Sequence, residues 1–310
     1  MIKKSVYITG CLGFIGYHVT RACLDLGWYV RGIDSITYAA NIDLLPALKS
    51  YSNFIFQQTD INDLEYIKDC QYIINTAAET HVDNSITSSD IFVRSNVNGV
   101  HHILERIRAI SHNPPVFLHF STDEVYGDIA QGVHNETDLL KPSNPYSATK
   151  AGADMLILAW ARTYNIPYVI VRPTNNYGVG QYTEKFIPNV IHRLCQGQKA
   201  LLHDQGKPIR TWLHVSDTVN AVLKIIDHGC RNEIFNISGN CEFSNKQVAY
   251  KILQYMGLYQ HDQHLDLTIQ RPGQDVRYAI DDTKLRSLGW TANADFDTEL
   301  QKIVAWYSKK

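Results

Sequence analysis

The chain has 310 residues, of which 45% are hydrophobic and 19% charged, and this composition is typical of a globular protein with a sizeable core. Its formal net charge of −2 gives no electrostatic reason to expect nucleic acid or an anionic membrane as a partner. The six cysteines form no C-x-x-C pair, which is typical of reduced thiols in the cytoplasm, and no apolar run is long enough for a signal peptide or a transmembrane helix.

The first predicted strand spans residues 5–9 and leads into a glycine-rich turn, which opens a helix running to about residue 26. Glycines spaced as G-x-x-G-x-x-G allow a tight turn, a close backbone approach to a pyrophosphate and close packing of the helix on the strand. The first N–H groups of such a helix also attract anions. The pattern therefore predicts a dinucleotide site formed by Gly10, Gly13, Phe14, Ile15 and Gly16.

The second predicted strand spans residues 28–33 and ends at Asp34. An acidic residue roughly twenty positions after the glycines suits the hydroxyls of an adenosine ribose and would repel the extra phosphate of NADP, which favours NAD. The alternative is a loop carboxylate that caps the following segment. A third strand is predicted at 53–56, and Asp60 could cap a helix over 62–68.

The fourth predicted strand spans residues 70–75, and the small side chains of Ala77 and Ala78 would let the backbone after it pass close to the cofactor. A long helical stretch follows from about 86 to 110. Asn96 and Gly99 cost stability within a helix, so they indicate either a mild kink or a structural role beside the site.

The fifth predicted strand, 115–120, is followed by Thr122, Asp123 and Glu124. A hydroxyl and two adjacent carboxylates therefore lie where a buried strand ends, and in an open parallel sheet ligands bind outside the carboxyl ends of the strands. The alternative is a pair of solvated carboxylates in a surface turn.

A helix start is predicted at Asn144 and Pro145, and this helix would run to about residue 164 and carry Tyr146 and Lys150 on one face. The positive end of the helix dipole and the lysine ammonium would both favour the tyrosine phenolate, so Tyr146 could act as a base near neutral pH. The alternative is an amphipathic helix with a surface tyrosine and lysine. A sixth strand is predicted at 168–171.

These motifs together resemble the extended short-chain dehydrogenase/reductase superfamily, and Thr122-Asp123-Glu124 resembles the nucleoside-diphosphate-sugar 4,6-dehydratases within it. The resemblance covers nearly the whole chain. It implies an α/β fold with a Rossmann-type doubly wound parallel sheet in residues 1–172, to which some later segments return. A smaller C-terminal α/β domain in residues 173–310 would bind the sugar nucleotide. The resemblance also implies bound NAD and no metal ion.

Further site residues follow from the same resemblance. Asp60 and Ile61 would lie at the adenine, and Ala77 and Ala78 at the cofactor. The sugar nucleotide would be contacted by His81, Asp83, Asn176, Lys185, His203, Arg210, Arg271 and Gln274. Two of these, Arg210 and Arg271, could clamp the diphosphate by bidentate hydrogen bonds. His203 and Gln274 stand where the family usually has Tyr and His, and this leaves the nucleobase open.

The implied reaction removes water across C5 and C6 of a hexose. Tyr146, supported by Lys150, would take the proton of the 4-hydroxyl while hydride passes from C4 to NAD, and Thr122 would hold the same oxygen. Glu124 would then remove the C5 proton, and Asp123 would protonate the departing 6-hydroxyl. Adjacent carboxyl groups with different roles need separated pKa values, and repulsion between them in a closed pocket raises one of the two.

Other functions remain open at this stage. A sugar-nucleotide 4-epimerase or decarboxylase would need Tyr146 and Lys150 but not the two carboxylates, and a non-catalytic NAD-binding regulatory protein would need only the fold. The family further implies a homodimer through the helices near 86–110 and 146–164. The predicted protein is thus a cytoplasmic lyase of nucleotide-sugar metabolism that forms a deoxysugar precursor.

Overall fold

The computed structural model describes residues 3–309. Its strands lie, in chain order, at β1 Ser5–Thr9, β2 Tyr29–Asp34, β3 Phe54–Gln58, β4 Tyr72–Asn75, β5 Val116–Phe120, β6 Tyr168–Pro173, β7 Asn175–Tyr177, β8 Ala200–Leu201, β9 Ile209–His214, β10 Glu233–Ile237, β11 Cys241–Ser244 and β12 Leu265–Asp266. Its α-helices lie at α1 Phe14–Asp25, α2 Leu45–Lys49, α3 Val82–Thr87, α4 Asp90–Phe92, α5 Gly99–Arg108, α6 Pro145–Tyr164, α7 Phe186–Cys195, α8 Val215–Asp227, α9 Asn245–Tyr255, α10 Thr283–Ser287 and α11 Phe296–Tyr307.

Seven of the described strands form one parallel sheet in the order β10-β6-β5-β4-β1-β2-β3. Its central strands are continuous apolar runs because helices cover both faces, and β5 is buried at every position. Helices α1 and α8 pack on one face, and α5 and α6 pack on the other. This arrangement confirms the predicted Rossmann-type fold.

The chain beyond residue 173 contributes partly to the large sheet and its helices and partly to a second, smaller core. Strand β10 joins the large sheet beside β6, and α8 packs against α1. The remaining strands form a three-stranded sheet, β11-β9-β7, and a two-stranded sheet, β12-β8. These small sheets and helices α7, α9 and α11 enclose a second apolar core. Among residues 3–309, no helix combines the length and the apolar character that crossing a bilayer requires.

The helix predicted over 62–68 is wrong. The structure has a single 3-10 turn at Ile61–Asp63, which Asp60 caps by accepting a hydrogen bond from the backbone N–H of Asn62. The chain then runs in an irregular path that buries Leu64 and Ile67 against the sheet. Tertiary burial of two apolar side chains therefore decides the backbone path here.

The helical stretch predicted from 86 to 110 is interrupted. Helix α3 ends at Thr87, and a π-helical segment, Val93–Asn98, precedes α5. Asn96 lies in this segment, and its side-chain amide bonds the backbone N–H and C=O of Glu79, each at 2.9 Å, and the hydroxyl of Thr149 at 3.0 Å. The wide π-helical segment thus directs the buried side-chain amide of Asn96 toward the segment after β4 and toward α6. This is the structural role considered for Asn96.

Candidate active site

The carboxyl ends of β1, β4 and β5 meet at one edge of the large sheet, and three connected cavities lie outside them. The first, about 250 Å³, lies between the glycine turn and Asp34 and is called the cofactor cavity. The second, about 260 Å³, runs past Thr122 and Tyr146 and is called the central cavity. The third, about 400 Å³, lies between Glu124 and Arg271 and is called the distal cavity. Shared lining residues join each cavity to the next, as a dinucleotide followed by a second ligand would require.

The glycine turn is shaped for a ligand that approaches the backbone closely. Gly10 has φ +70°, and a Cβ there would lie 2.8 Å from the backbone of Ala77. A Cβ on Gly16 would lie 2.0 Å from the carbonyl oxygen of Gly10, so the helix could not pack this tightly on the turn. Gly13 begins α1 without a side-chain cap, and the open first turn lines the central cavity. All of the predicted turn residues line that cavity: Gly10, Gly13, Phe14, Ile15 and Gly16.

Asp34 lies at the end of β2 and is buried. Its carboxylate accepts hydrogen bonds from the backbone N–H groups of Leu12, at 2.9 Å, and Ile36, at 2.8 Å. Burial raises the pKa of Asp34, and these two hydrogen bonds oppose the rise. The carboxylate therefore fixes the glycine turn as well as facing the cofactor cavity. The remaining predicted cofactor residues line the same cavity: Asp60, Ile61, Ala77 and Ala78.

The two carboxyl groups after β5 are held differently. Thr122 caps the 3-10 turn Asp123–Tyr126, and its hydroxyl donates to Asp123 Oδ1 at 3.2 Å. Asp123 Oδ2 is buried and has no hydrogen-bond partner among the described residues. Glu124 Oε2 accepts from the side chain of Asn144 at 3.2 Å, and Glu124 faces both the central and the distal cavity.

The pKa values of this pair are displaced from those of free carboxyl groups. Burial raises the pKa of Asp123 to about 8, and the charge of Glu124 adds to the rise. Burial also raises the pKa of Glu124, with a contribution from the charge of Asp275, while Arg210 opposes it. We therefore expect Asp123 to hold a proton at neutral pH.

Tyr146 and Lys150 lie in the first turns of α6, whose start follows the prediction. Asn144 caps the helix in a reciprocal pair of hydrogen bonds with Ser147, and Pro145 is the first helical residue. Tyr146 lines the central cavity beside Thr122. Lys150 lies one helical turn after Tyr146 and is buried beneath the site rather than lining the cavity.

The charge environment of Tyr146 differs from the sequence-based expectation. Burial and the negative charges of Glu124 and Asp123 raise its pKa, although a hydrogen bond with Thr122 opposes the rise. Burial lowers the pKa of Lys150 to about 8. The lysine amine contacts the carbonyl oxygen of Phe120 at 2.6 Å and His119 Nε2 at 3.1 Å. A phenolate near neutral pH therefore needs positive charge beyond what the chain supplies, and it stays a prediction for the enzyme with its cofactor.

The two arginines predicted to clamp a diphosphate converge in the distal cavity. Both form ion pairs with the buried carboxylate of Asp275, and Arg271 Nη2 lies 3.2 Å from its Oδ1. Arg271 also reaches across the cleft to Asp83 at 3.2 Å. Two guanidinium groups are thus placed side by side and are neutralised by two carboxylates.

Asn176 was predicted to contact the substrate, and its neighbour Asn175 also faces the cavities. Asn176 does not line the distal cavity. Its side-chain amide bonds the Thr174 carbonyl at 3.0 Å and the Thr218 hydroxyl at 2.5 Å. Asn175 lines both the central and the distal cavity, and its Oδ1 is buried without a hydrogen-bond partner among the described residues. Asn176 also lines the central cavity, so Asn175 is a further candidate for substrate contact beside the predicted Asn176.

Four further predicted residues line the distal cavity: His81, Lys185, His203 and Gln274. His81 also caps α3, because its side chain accepts a hydrogen bond from the backbone N–H of Asn84. Lys185 donates to the Thr80 hydroxyl at 2.8 Å, which ties the two walls of the cleft together. His203 Nε2 lies 3.8 Å from Asp83, and Gln274 donates to the carboxylate of Asp275.

Among the polar residues at or beside the site that were not predicted from the sequence are His119, Asn175 and Asp275. Asp275 sits two residues before an arginine in a matched segment, and an acidic residue among arginines is a signal for charge pairing. His119 is the lone polar residue of an otherwise apolar strand. Asn175 and Asn176 are adjacent and chemically identical, so only the direction of each side chain separates them.

Comparison with known proteins agrees with this geometry. The family described as GDP-mannose 4,6 dehydratase matches residues 7–303. A dTDP-glucose 4,6-dehydratase of Streptomyces niveus is 38% identical, over 97% of this chain and 92% of that protein. The crystal structure of a dTDP-glucose 4,6-dehydratase from Streptomyces venezuelae with NAD bound superposes with a TM-score of 0.93 at 32% identity, covering 98% and 97% of the two chains.

Similarity in shape extends beyond the dehydratases. The structure of a UDP-glucuronic acid 4-epimerase from Bacillus cereus has a TM-score of 0.92 but only 22% identity, covering 98% of this chain and 99% of that one, so it shows the shared fold alone. The match over nearly the whole chain and the Thr122-Asp123-Glu124 turn decide between these relatives. This chain is a member of the nucleoside-diphosphate-sugar 4,6-dehydratase family, within the extended short-chain dehydrogenase/reductase superfamily.

Proposed function

We propose that this protein catalyses the NAD-dependent 4,6-dehydration of a nucleoside-diphosphate hexose to its 4-keto-6-deoxy product. The observation that carries the proposal is the pair of carboxyl groups at the end of β5. Asp123 has an unpartnered buried oxygen, and Glu124 faces the same cavity as Tyr146. A 4-epimerase or a decarboxylase needs no such pair, because neither removes a proton from C5 and a hydroxyl from C6.

The residues of the cofactor cavity fit a dinucleotide. Gly10 and Gly13 line this cavity without side chains, and the uncapped start of α1 offers N–H donors for a pyrophosphate. Asp34 offers a carboxylate at the position suited to an adenosine ribose, and its charge disfavours a 2′-phosphate. NAD held by these residues would supply the acceptor for the hydride of C4 and its donor to C6, and C5 would then regain a proton.

The chain's own residues would move the protons. Tyr146 would accept the proton of the 4-hydroxyl, and Thr122, whose hydroxyl lies beside it in the central cavity, would hold the same oxygen. Lys150 would supply positive charge that favours the tyrosine phenolate. A ketone at C4 makes the C5 proton acidic, and this acidity is what allows a carboxylate to remove that proton.

The raised pKa of Asp123 supports a role for this residue as the proton donor of the pair. Glu124, ionised and oriented by Asn144, would remove the C5 proton. Asp123, with its pKa raised to about 8, would hold a proton at neutral pH and donate it to the departing 6-hydroxyl. Water leaves with that proton, so the elimination needs no external acid.

The distal cavity would bind the nucleoside diphosphate through Arg210 and Arg271. A dTDP-hexose is the first candidate because the relatives reported above are dTDP-glucose 4,6-dehydratases. His203 and Gln274 lie on the nucleotide side at positions where the family usually has other residues, so other bases must be compared directly.

The test is mass spectrometry after incubation with dTDP-, UDP-, GDP- and CDP-hexoses, including N-acetylated ones. A product lighter by one water supports the proposal and names the base and the sugar together. An unchanged mass with inverted C4 would establish an epimerase, and loss of carbon dioxide from an added uronic acid would establish a decarboxylase. Bound NAD without any conversion would support a non-catalytic protein.

We also propose a cytoplasmic homodimer. The free thiols of all six cysteines fit a reducing compartment. Apolar side chains are exposed along the segment before α5 and along α6, at Ile86, Ile91, Val93, Met155 and Tyr164. A second copy of this chain would cover them in a bundle of paired helices. Light scattering of Val93→Asp and Met155→Glu should show a monomer where the unmodified protein shows a dimer; a monomeric unmodified protein would contradict the proposal.

A further inference from the structure

A row of buried polar side chains crosses the centre of the large sheet. Thr9, Asn75 and His119 are register partners on β1, β4 and β5, and all three are fully buried. The Thr9 hydroxyl lies 2.6 Å from Asn75 Oδ1, and Asn75 Nδ2 lies 2.9 Å from His119 Nδ1. Buried polar groups at these positions cost stability unless every one is hydrogen-bonded, so the row is a built feature of the sheet.

The row ends at Lys150. His119 Nε2 lies 3.1 Å from the lysine nitrogen, and the Phe120 carbonyl oxygen lies 2.6 Å from it on the other side. On α6 itself, Asp154 is one turn after the lysine, and its carboxylate is paired with Arg172 of β6 and the hydroxyl of Ser121. Tyr146 is one turn before the lysine. His119 is therefore the titratable group that the sheet presents to Lys150.

The imidazole of His119 stays neutral in this position. Burial and the charge of Lys150 hold its pKa well below the usual value. A neutral ring has one N–H and one acceptor nitrogen, so the row has a direction. Beside a lysine ammonium, Nε2 must accept and Nδ1–H must donate to the amide oxygen of Asn75. Beside a neutral lysine amine, Nε2–H can donate to the amine and Nδ1 can accept from the amide N–H of Asn75.

We propose that His119 is a positioning residue that matches its tautomer to the charge of Lys150, so that the lysine keeps its hydrogen-bond partner in both protonation states. The Asn75 amide and the Thr9 hydroxyl turn with it, because each can donate or accept. When Lys150 loses a proton, one proton leaves to solvent in all, and the ring carries its single proton on Nε2 instead of Nδ1. The proposal rests on the proposed function, in which the lysine ammonium favours the phenolate of Tyr146.

The tautomer can be observed without any turnover. The purified protein, labelled with nitrogen-15 in its 13 histidines, is examined by NMR, and the His119 signals are assigned by their loss in His119→Gln. Between about pH 5 and about pH 10, the ring should stay neutral, and Nε2 should change from an unprotonated to a protonated nitrogen as Lys150 titrates near pH 8. A ring that becomes charged in this range, or one that keeps a single tautomer throughout, would overturn the proposal.

The consequence for catalysis can be isolated in a Glu124→Gln background, in which the reaction stops after C4 oxidation and reduced nicotinamide is the signal. His119→Leu removes the acceptor for the ammonium, so the lysine should lose its proton more easily. The alkaline limb of the rate of nicotinamide reduction should then shift to lower pH by about one unit. His119→Gln, which keeps an acceptor near the position of Nε2, should restore the limb of the parent protein.

Phe117→Leu is the matched control. Phe117 is buried two residues earlier on the same face of β5 and packs beside the His119 ring, but it forms no hydrogen bond in the row. Its replacement should lower thermal stability and leave the alkaline limb in place. An unchanged limb in His119→Leu would overturn the proposal, and where that variant does not fold, the NMR measurement decides. If the unmodified protein converts no sugar nucleotide, the proposed function fails, while the tautomer measurement still tests His119.

Discussion

The two walls of the cleft hold their charges in opposite ways. On the sheet side, Asp123 and Lys150 are buried with few partners, and their pKa values lie far from those of the free side chains. On the distal side, Arg210 and Arg271 are neutralised by ion pairs with Asp275 and Asp83. The sheet side therefore keeps groups ready to exchange protons, and the distal side keeps cations balanced until an anion replaces their partners.

This contrast follows from where each wall comes from. The carboxyl pair and the lysine are fixed by the end of β5 and the first turns of α6, both of which belong to the packed core. Arg210 comes from β9, and Arg271 comes from the irregular segment after β12. Their positions depend on ion pairs with the shared Asp275 and with Asp83. Changes on the sheet side should therefore alter the chemical step, and changes on the distal side should alter affinity.

The largest effect is expected from Glu124→Gln. The amide is close in size to the carboxylate but cannot remove the C5 proton, so product formation should fall by on the order of 10³-fold, while reduced nicotinamide still forms. Stopped-flow absorbance of the nicotinamide and mass spectrometry of the product measure the two steps separately. Glu65→Gln, at an exposed position, is the control and should leave both rates unchanged. Full turnover in Glu124→Gln would remove this residue from the mechanism.

A smaller effect is expected from Arg271→Gln. This change removes a guanidinium from the distal wall without touching the carboxyl pair, so KM should rise on the order of 10- to 100-fold with little change in kcat. Arg277→Gln is the matched control, because Arg277 pairs with Glu242 outside the distal cavity. Initial rates over a range of sugar-nucleotide concentrations give both constants. A fall in kcat at constant KM would place Arg271 in the chemical step and would break the contrast between the walls.

What the sequence alone predicts follows the same division between the sheet side and the distal side of the cleft. The glycine turn, Asp34, Thr122 to Glu124 and Tyr146 are each tied to a strand end or a helix start that has its own local signal, and they line the cofactor and central cavities. The distal side was predicted through matched segments only, and the place of Asn175 beside Asn176 depended on a side-chain direction that no local pattern encodes. Asp275 was missed as a partner because the residues it joins lie far apart in the chain.

The groups on the sheet side also predict a pH dependence of turnover, and this effect should be intermediate in size. Asp123 must be protonated to donate, and its pKa is raised to about 8, so turnover should fall about tenfold for each pH unit above that value. Lys150 titrates in the same range, but the two groups act on different steps. If Asp123 limits the rate, reduced nicotinamide should accumulate during turnover as the pH rises. If reduced nicotinamide is depleted instead, the fall in turnover at alkaline pH would be assigned to the hydride-transfer step.

The smallest effect, Asp83→Asn, tests whether the distal carboxylates act as counter-ions or as sugar ligands. Asp83 pairs with Arg271 and lies 3.8 Å from His203 Nε2, and it faces the cavity that would hold a diphosphate. As a counter-ion it competes with the substrate for Arg271 and repels the incoming anion, so its neutralisation should lower KM about threefold and leave kcat unchanged.

The sequence-based assignment of Asp83 as a sugar contact predicts the opposite direction, because a lost hydrogen bond to the substrate would raise KM. Asp69→Asn is the control, since this exposed residue has φ +51°, a conformation that asparagine adopts readily. Because the ion pair is partly exposed, added salt should weaken it and reduce the difference between Asp83→Asn and the unmodified protein. A difference in KM that does not respond to salt would identify a direct hydrogen bond to the sugar and would show that the distal wall, like the sheet wall, positions the reacting ring.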